Sequence, residues 1–156
     1  WSFALQIYFL GSRFRQVKEI RDSGKNVIQD RTIYEDAHIF AENLAEMNLL
    51  SERDFKNYLS VFQLMKDFVS APDLLIYLRA DIPTLVKQIA KRGREYEAGI
   101  SIDYLSKLNN KYQNWIENYK EGQLLIIDVD RLDFVEKPED FGFILERIDA
   151  ELNGLF

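Results

Sequence analysis

The chain has 156 residues, of which 47% are hydrophobic, and this is enough for one globular domain with a sizeable core. Its net charge of −6 and sequence pI of about 4.9 disfavour nucleic-acid and membrane partners, so any site for an anion has to be local. The absence of cysteine excludes disulfides and thiolate metal sites and is compatible with the cytoplasm, and no apolar run approaches the roughly 20 residues of a membrane span.

The first predicted element is a long, mostly buried helix from Trp1 to Arg21. Its apolar residues recur at helical spacing: Phe3, Ile7, Leu10, Phe14 and Val17. Gln6 and Arg13 are seven residues apart and therefore project from nearly the same line of the helix. They either lie at the solvent edge or bind a ligand. Because Trp1 already falls inside the periodic pattern, we expect the sequence to begin within a longer protein.

The next stretch changes from apolar to charged. Gly24–Asn26 predicts a turn and Val27–Gln29 a short buried strand, and Thr32 with Glu35 predicts a capping box that opens a helix. The residues Asp30-Arg31 then lie at the carboxyl end of a strand, where ligands bind in open parallel sheets. They are either a binding site or an internal ion pair that closes the turn.

A second long helix follows, in which Ser51 and Asp54 form the cap and Pro72 marks the end. Its apolar stripe is rich in aromatic residues: Phe55, Tyr58, Leu59, Phe62, Met65 and Val69. A stripe of this kind is typical of a core or a dimer face rather than of a cofactor pocket. His38 is the one histidine of the chain and has no cysteine to join it, so we expect it to have no metal-binding role.

Two uninterrupted apolar runs, Leu74–Leu78 and Leu124–Val129, predict strands that are buried on both faces of a parallel sheet. Helices are predicted at about Pro83–Ala90, after Ser101 and from Pro138 onward. With the short strand predicted earlier, three strands alternate with helices, and no repeat or low-complexity tract interrupts them. The predicted class is α/β with a parallel sheet.

A charged loop bracketed by glycines follows the helix that ends near Ala90. Arg92 and Arg94 flank Gly93, and each guanidinium offers a planar fork of donors to the oxygens of a polyphosphate. Lys91 adds a point charge. The alternative is a solvated basic loop, which is the usual fate of a run of charges.

Several short motifs now occur in a specific order and spacing. They are Trp1-Ser2-Phe3 with Gln6 and Arg13, then Asp30-Arg31-Thr32 followed by Tyr34, Asp36 and Phe40, and finally Arg92-Gly93-Arg94 followed by Glu97-Ala98-Gly99-Ile100. Over essentially the whole chain this set resembles the deoxynucleoside kinases, and the bacterial deoxyadenosine/deoxyguanosine kinases in particular. The resemblance implies a single kinase domain over residues 1–156 with a P-loop-kinase-like parallel sheet flanked by helices, lacking its N-terminal strands.

The resemblance also implies a strand order. In the family's sheet, a strand absent from this chain lies between the strands predicted at Val27–Gln29 and Leu74–Leu78, so these two should not pair directly. By contrast, Leu74–Leu78 and Leu124–Val129 should be neighbours.

For the deoxynucleoside pocket, the resemblance implies five residues. Gln6 would pair with the edge of the base, because an amide both donates to and accepts from an adenine-like face. Arg13 and Asp36 would form an ion pair behind the base, and Phe40 would wall the pocket. Glu97 would approach the 3′-hydroxyl of the sugar.

For the chemistry, the resemblance implies a second set of residues. Arg31 would hold the 5′-oxygen and the transferred phosphoryl group, and Asp30 would lie near magnesium. The two arginines of Arg92-Gly93-Arg94 would bind the phosphates of ATP as a lid. Asp133 and Phe134, in the loop after the last strand, would lie against the adenine of ATP.

Two departures from the family pattern stand beside these matches. Gln88 occupies a position where the family often carries a further lid arginine, so the lid charge is reduced. No G-x-x-x-x-G-K-[ST] loop occurs, because Gly24-Lys25 is followed by Asn26 and lacks the earlier glycine. The family carries that loop and its catalytic base upstream of the first residue of this sequence, so we expect these 156 residues alone to be inactive.

The function implied by the resemblance is transfer of the γ-phosphoryl group of ATP, with magnesium, to the 5′-hydroxyl of deoxyadenosine or deoxyguanosine. The Arg13/Asp36 pair favours purine or cytosine substrates, since thymidine-preferring relatives generally lack it. We expect a cytoplasmic homodimer formed through helices. The alternative is a non-catalytic nucleoside-binding or dimerisation module with Trp1–Arg21 and Ser51–Val69 as its interface.

Overall fold

The structure, a computed structural model, describes residues 1–97 and 99–154. Its elements in chain order are α1 (Ser2–Ser23), α2 (Ile33–Glu35), a π-helix (Asp36–Ala41), α3 (Glu42–Glu46), α4 (Glu52–Lys66), β1 (Leu74–Arg79), α5 (Ile82–Arg92), a 3₁₀ turn (Glu95–Glu97), α6 (Ile102–Glu117), β2 (Gln123–Asp128) and α7 (Pro138–Asn153). Within these described ranges, no helix is long and apolar enough to cross a membrane.

The residues form two compact units. The first contains Trp1–Ser70 and Asn110–Trp115, and the second contains Ala71–Asn109 and the residues from Ile116 onward. The first unit is helical. Its core consists of residues from α1, α4 and the helical run between them: Leu10, Ile33, Tyr34, Ala37, Ala41, Tyr58 and Phe62.

The prediction that the first helix is mostly buried is wrong. In α1 the fully buried residues are Gln6 and Leu10, whereas Leu5, Tyr8 and Phe9 are exposed by 49%, 68% and 40%. The physical reason is that α1 packs on α4 and the neighbouring helical run along one face, and a helix that packs on one face leaves the others in solvent. The helix therefore packs on one side of the core of the first unit and does not pass through it.

The run from residue 33 to residue 46 is helical throughout but changes type. It begins at the predicted capping box, which is confirmed: the Thr32 hydroxyl accepts from the Tyr34 amide at 3.1 Å, and the Glu35 carboxylate accepts from the Thr32 amide at 2.9 Å. The middle of the run is a π-helix, whose i→i+5 hydrogen bonds make a wider turn than those of an α-helix. Lys111 of α6 anchors the end of the run by ion pairs to Glu42 (3.2 Å) and Glu46 (2.7 Å).

The strand predicted at Val27–Gln29 is absent, and that prediction is wrong. These residues are irregular, and the Ile28 side chain is 97% exposed. A strand is held by hydrogen bonds to a neighbouring strand, and in the described residues the sheet consists of β1 and β2 alone. An apolar dipeptide without a ladder partner therefore does not form a strand.

The second unit contains the sheet, in which β1 and β2 are parallel neighbours. Leu74 pairs with Gln123 and the register runs to Arg79 opposite Asp128, so the predicted pairing is confirmed. The prediction that both faces are buried is wrong, because burial alternates along β2 and Leu78 at the end of β1 is exposed. In a two-stranded sheet covered by α7, only alternate side chains point into the core.

Two helices of the second unit begin where they were predicted, and α5 begins at Ile82, one residue before the predicted start. Ser101 accepts from the Tyr104 amide at 3.1 Å to start α6, and Pro138 opens α7. Asp81 accepts from the Thr84 amide at 2.8 Å to start α5. This helix continues to Arg92, two residues beyond the predicted end, and stops where Gly93 takes a left-handed conformation with φ 65°. Arg92 thus lies on a helix and not in the loop.

Candidate functional site

The turn at Asp30-Arg31 leads directly into the capping box of α2. Arg31 adopts a left-handed conformation with φ 64°, which is uncommon for a residue other than glycine. Its guanidinium carbon lies 4.6 Å from the centroid of the Phe40 ring, within the range of a cation–π contact. The structure therefore brings together Arg31 and Phe40, which the sequence placed on separate elements.

Arg13 reaches the same turn from α1. Its Nε atom lies 2.9 Å from Oδ2 of Asp36, and the two side chains are 19% and 6% exposed. Its Nη1 atom donates to the carbonyl oxygens of Asp30 at 2.8 Å and Arg31 at 3.4 Å. Burial raises the pKa of Asp36 above its usual value, while the charge of Arg13 opposes that rise. The ion pair expected between Arg13 and Asp36 is present.

Gln6 is a buried polar residue two helical turns before Arg13. It is 5% exposed, and its Oε1 atom is buried without a hydrogen-bond partner among the described residues. Leaving a buried acceptor unpaired costs about 1–3 kcal/mol, so native structures seldom do so without a reason. A ligand that donates to the Gln6 amide oxygen would supply the missing partner.

Tyr58 is a polar residue of this unit that the sequence placed in an apolar stripe. It is completely buried, and its hydroxyl has no hydrogen-bond partner in the described part of the chain. Burial, and secondly the nearby Asp36 carboxylate, raise the pKa of Tyr58 well above its usual range. The sequence shows only a tyrosine within a stripe of phenylalanine and leucine residues. It does not reveal that the hydroxyl is buried, because that depends on tertiary packing.

The charged residues at the end of α5 and in the loop after it are arranged around one carboxylate. Nε of Arg92 lies 3.0 Å from Oε2 of Glu97, and Nη1 of Arg94 lies 3.5 Å from Oε1 of the same residue. The arginine side chains are 49% and 51% exposed, whereas that of Glu97 is 11% exposed. Glu97, for which a sugar contact was expected, thus pairs with both of the expected lid arginines in this structure.

The loop after β2 contacts the end of α5. Nζ of Lys91 lies 3.6 Å from Oδ2 of Asp133 and 3.3 Å from Oε1 of Glu136. The backbone amide of Asp133 donates to the Asp140 carboxylate at 2.7 Å, and the Phe134 ring packs on the core of the second unit. Asp133 and Phe134 are therefore held in place by α5, α7 and the core.

The carboxyl ends of the two strands carry an ion pair that sequence reasoning missed. Arg79 donates to both oxygens of Asp128, from Nε at 2.6 Å and from Nη2 at 2.8 Å. The hydrogen bond from Arg79 lowers the pKa of Asp128. The backbone amide of Asp81 donates to Asp130 at 2.9 Å. The register of the two strands, which the sequence does not specify, brings these residues together.

Comparison with known proteins gives one consistent result. A family model described as deoxynucleoside kinase matches residues 1–153. The chain is 37% identical over 155 residues to the deoxyadenosine/deoxycytidine kinase of Bacillus subtilis (strain 168), covering 98% of this chain and 71% of that protein. It is 35% identical over 163 residues to the deoxyguanosine kinase of the same organism, covering 99% of this chain and 74% of that protein.

Solved structures agree. The deoxyadenosine kinase of M. mycoides with the products dCMP and a flexible dCDP bound superposes with a TM-score of 0.79 at 28% identity, covering 95% of this chain and 73% of that one. The same enzyme with bound dATP gives a TM-score of 0.77 at 30% identity, covering 94% and 74%. The family model, the related sequences and the solved structures therefore agree on one family.

Proposed function

Because the chain belongs to the deoxynucleoside kinase family, we propose that the protein transfers the γ-phosphoryl group of ATP to the 5′-hydroxyl of deoxyadenosine or deoxyguanosine. We also propose that residues 1–156 form one kinase domain. The observation that carries the proposal is the buried Arg13–Asp36 ion pair beside the left-handed turn at Arg31, with the buried, unpaired amide oxygen of Gln6 two turns earlier on the helix of Arg13. The relatives are named for both purine and cytosine deoxynucleosides, and the purine preference is the finer part of the proposal.

The base is recognised by Gln6 and Asp36. The buried Oε1 atom of Gln6 accepts from an exocyclic amine, while its amide nitrogen donates to a ring nitrogen. Asp36 stays paired with Arg13 when the base binds. A donor on the base therefore shares the Asp36 carboxylate with Arg13, whose positive charge already balances it. A purine edge therefore meets acceptors and donors that are fixed before it arrives.

The chemistry depends on Arg31 and Asp30. Phosphoryl transfer is catalysed mainly by positioning and by neutralising charge on the transferred group, and the exposed guanidinium of Arg31 supplies a positive charge at the turn. Magnesium in such sites is bound through one or two carboxylates and the substrate phosphates, and the exposed carboxylate of Asp30 fits that requirement. Phosphate oxygens and water molecules would supply the other ligands. When bound, magnesium neutralises phosphate charge.

On the donor side, Arg92 and Arg94 bind the ATP phosphates. Both pair with the carboxylate of Glu97, but their guanidinium groups are about half exposed, so phosphate oxygens can reach them from solvent and take the place of Glu97. Glu97 is then free to accept from the 3′-hydroxyl of the sugar. Asp133 and Phe134 lie on a fixed loop, and we assign them to the adenine of ATP.

We further propose that the protein is a cytoplasmic homodimer formed through α1 and α4. Both helices belong to the first unit and contact each other, and each exposes apolar side chains: Leu5, Tyr8 and Phe9 on α1, and Val61 and Leu64 on α4. Apolar patches on the surface mark interaction sites, and a second copy would bury them symmetrically. Sedimentation velocity should show a dimer, and Leu64→Glu should yield a monomer. A wild-type monomer would contradict this part of the proposal.

The test of the function is a transfer assay on the intact protein as encoded by its gene. It is incubated with magnesium, γ-labelled ATP and, in turn, deoxyadenosine, deoxyguanosine, deoxycytidine and thymidine, and the 5′-monophosphates are separated and counted. We expect the two purine deoxynucleosides to have the highest kcat/KM. Preference for deoxycytidine would overturn the purine assignment alone. Absence of transfer to all four would overturn the kinase assignment and favour the non-catalytic module.

A further inference from the structure

The guanidinium of Arg13 binds three oxygen atoms that belong to two different parts of the first unit. Nε pairs with the Asp36 carboxylate at 2.9 Å, and Nη1 donates to the backbone carbonyls of Asp30 at 2.8 Å and Arg31 at 3.4 Å. Asp36 belongs to the base pocket, whereas the two carbonyls belong to the turn that carries Arg31. One side chain thus connects the residue that reads the base with the residue that acts on the phosphoryl group.

The two carbonyls are those that define the backbone conformation of Arg31. The carbonyl of Asp30 precedes the N–Cα bond of Arg31, and the carbonyl of Arg31 follows its Cα–C bond, so fixing both peptide planes fixes both dihedral angles. Arg31 needs this support because its φ of 64° is sparsely populated by residues other than glycine. Such conformations persist only where the surroundings hold them. Arg13 provides that support from α1.

The other side of the turn is held independently. Thr32 and Glu35 form the capping box, and the side chain of Arg31 rests on the Phe40 ring. These contacts fix the residue after Arg31 and the end of its side chain, but they leave its preceding peptide plane free. Arg13 therefore supplies a restraint that the capping box does not.

We propose that Arg13 is a positioning residue for Arg31, in addition to its place behind the base. The inference rests on the proposed function, since it assigns the transition-state contact to Arg31. Asp36 orients Arg13 through Nε, and Arg13 orients the catalytic turn through Nη1. A base bound against Asp36 consequently stabilises the arrangement that places Arg31 for transfer.

The alternatives make different predictions for kinetics. If Arg13 acts only in base recognition, its replacement changes KM or base preference and leaves kcat of the remaining substrates intact. If it acts only in folding, its replacement lowers the unfolding temperature, and added guanidinium does not restore turnover. As a positioning residue, its replacement lowers kcat for every deoxynucleoside.

The test compares Arg13→Lys and Arg13→Ala with Arg15→Lys and Arg15→Ala, which change an exposed arginine of the same helix. A lysine keeps the charge beside Asp36 but lacks the fork that reaches the carbonyls. We expect both Arg13 variants to lose kcat by about 10- to 100-fold with deoxyadenosine, deoxyguanosine and deoxycytidine alike, because small misplacements of catalytic groups have effects of that size. Methylguanidinium should restore part of the kcat of Arg13→Ala, and the Arg15 variants should match wild type.

A readout without turnover separates this inference from the proposed function. Hydrogen exchange of the backbone amides at Arg31 and Thr32 should be faster in Arg13→Lys than in Arg15→Lys, because the turn loses a restraint. Unchanged exchange, or an unchanged kcat in the active enzyme, would overturn the positioning role. If the wild-type protein transferred no phosphoryl group at all, the kinase proposal would fail, whereas the exchange result would still decide whether Arg13 holds the turn.

Discussion

Two arginine–carboxylate pairs with nearly the same geometry occur in the two units, and they differ in their surroundings. Arg13 and Asp36 are 2.9 Å apart with side chains 19% and 6% exposed, and Arg92 and Glu97 are 3.0 Å apart with side chains 49% and 11% exposed. The carboxylates are buried to a similar extent, and the two pairs differ in the exposure of the arginine. Solvent reaches the Arg92 guanidinium, screens its charge and offers it a replacement for Glu97.

The difference matches the tasks proposed for the two regions. A pocket that selects a base benefits from donors and acceptors that are already in place, since their ordering is completed during folding. A loop that binds the phosphates of ATP has to release its previous partner, and a weak surface pair permits this. The same residue types therefore form a preorganised site in one unit and an exchangeable one in the other.

The largest effect is expected from removing the two carboxylates in turn. Asp36→Ala leaves Arg13 buried without its partner and should lower the free energy of unfolding by about 3–5 kcal/mol. It should also shift preference away from purines. Glu97→Ala should lower the free energy of unfolding by less than Asp36→Ala does, because the arginines that it leaves unpaired, Arg92 and Arg94, are about half exposed and can be solvated by water. Urea denaturation measures both, and equal losses would mean that burial does not distinguish the two pairs.

Next in size is the loss of the catalytic guanidinium. Arg31→Ala should reduce kcat by at least about 100-fold, which corresponds to about 2.7 kcal/mol of transition-state stabilisation. Arg53→Ala, which removes an arginine with an 86% exposed side chain from the same unit, is the matched control. Initial rates with deoxyadenosine are the measurement. Turnover near the wild-type rate in Arg31→Ala would refute the role of Arg31.

A smaller effect is expected from salt. Raising the ionic strength from about 0.05 to about 0.5 M shortens the screening length to a few ångströms, so the KM for ATP should rise several-fold through the exposed lid arginines. The KM for the deoxynucleoside should stay nearly constant, because its contacts are buried and it carries no charge. If both constants rose together, the contrast between the two regions would be wrong.

The smallest effect concerns Tyr58, whose buried hydroxyl lacks a partner in the described residues. Tyr58→Phe removes an unpaired polar group and should raise the free energy of unfolding by about 1 kcal/mol. Thermal and urea unfolding decide the sign. Destabilisation by Tyr58→Phe would show that the hydroxyl is bonded.

Local signals in the sequence predicted much of the fold. The capping box at Thr32 and Glu35 and the caps at Ser51 and Ser101 depend on residues three or four apart, and each forms as expected. The parallel pairing of β1 with β2 followed from two apolar runs and the family's strand order. These predictions succeeded because they depend on residues close together in one element or on the resemblance to one family.

The remaining features depend on partners that are distant in sequence. Val27–Gln29 has strand composition but lacks a neighbouring strand in the described residues, so composition alone misled. The π-helix beginning at Asp36 has no local signature, and the burial of Tyr58 results from packing against several helices. The contacts of Arg13 with two backbone carbonyls involve no side-chain partner, so residue types did not reveal them.

We propose that buried polar residues of the first unit recognise the deoxynucleoside and that Arg92 and Arg94 of the second unit bind ATP. The test is a calorimetric titration of deoxyadenosine, and separately of a non-hydrolysable ATP analogue, into wild type, Gln6→Ala and the Arg92→Ala/Arg94→Ala double variant. We predict that Gln6→Ala raises the Kd of deoxyadenosine by about 10-fold or more and leaves that of the analogue within about 2-fold, and that the double variant does the reverse. Unchanged deoxyadenosine affinity in Gln6→Ala would contradict the account.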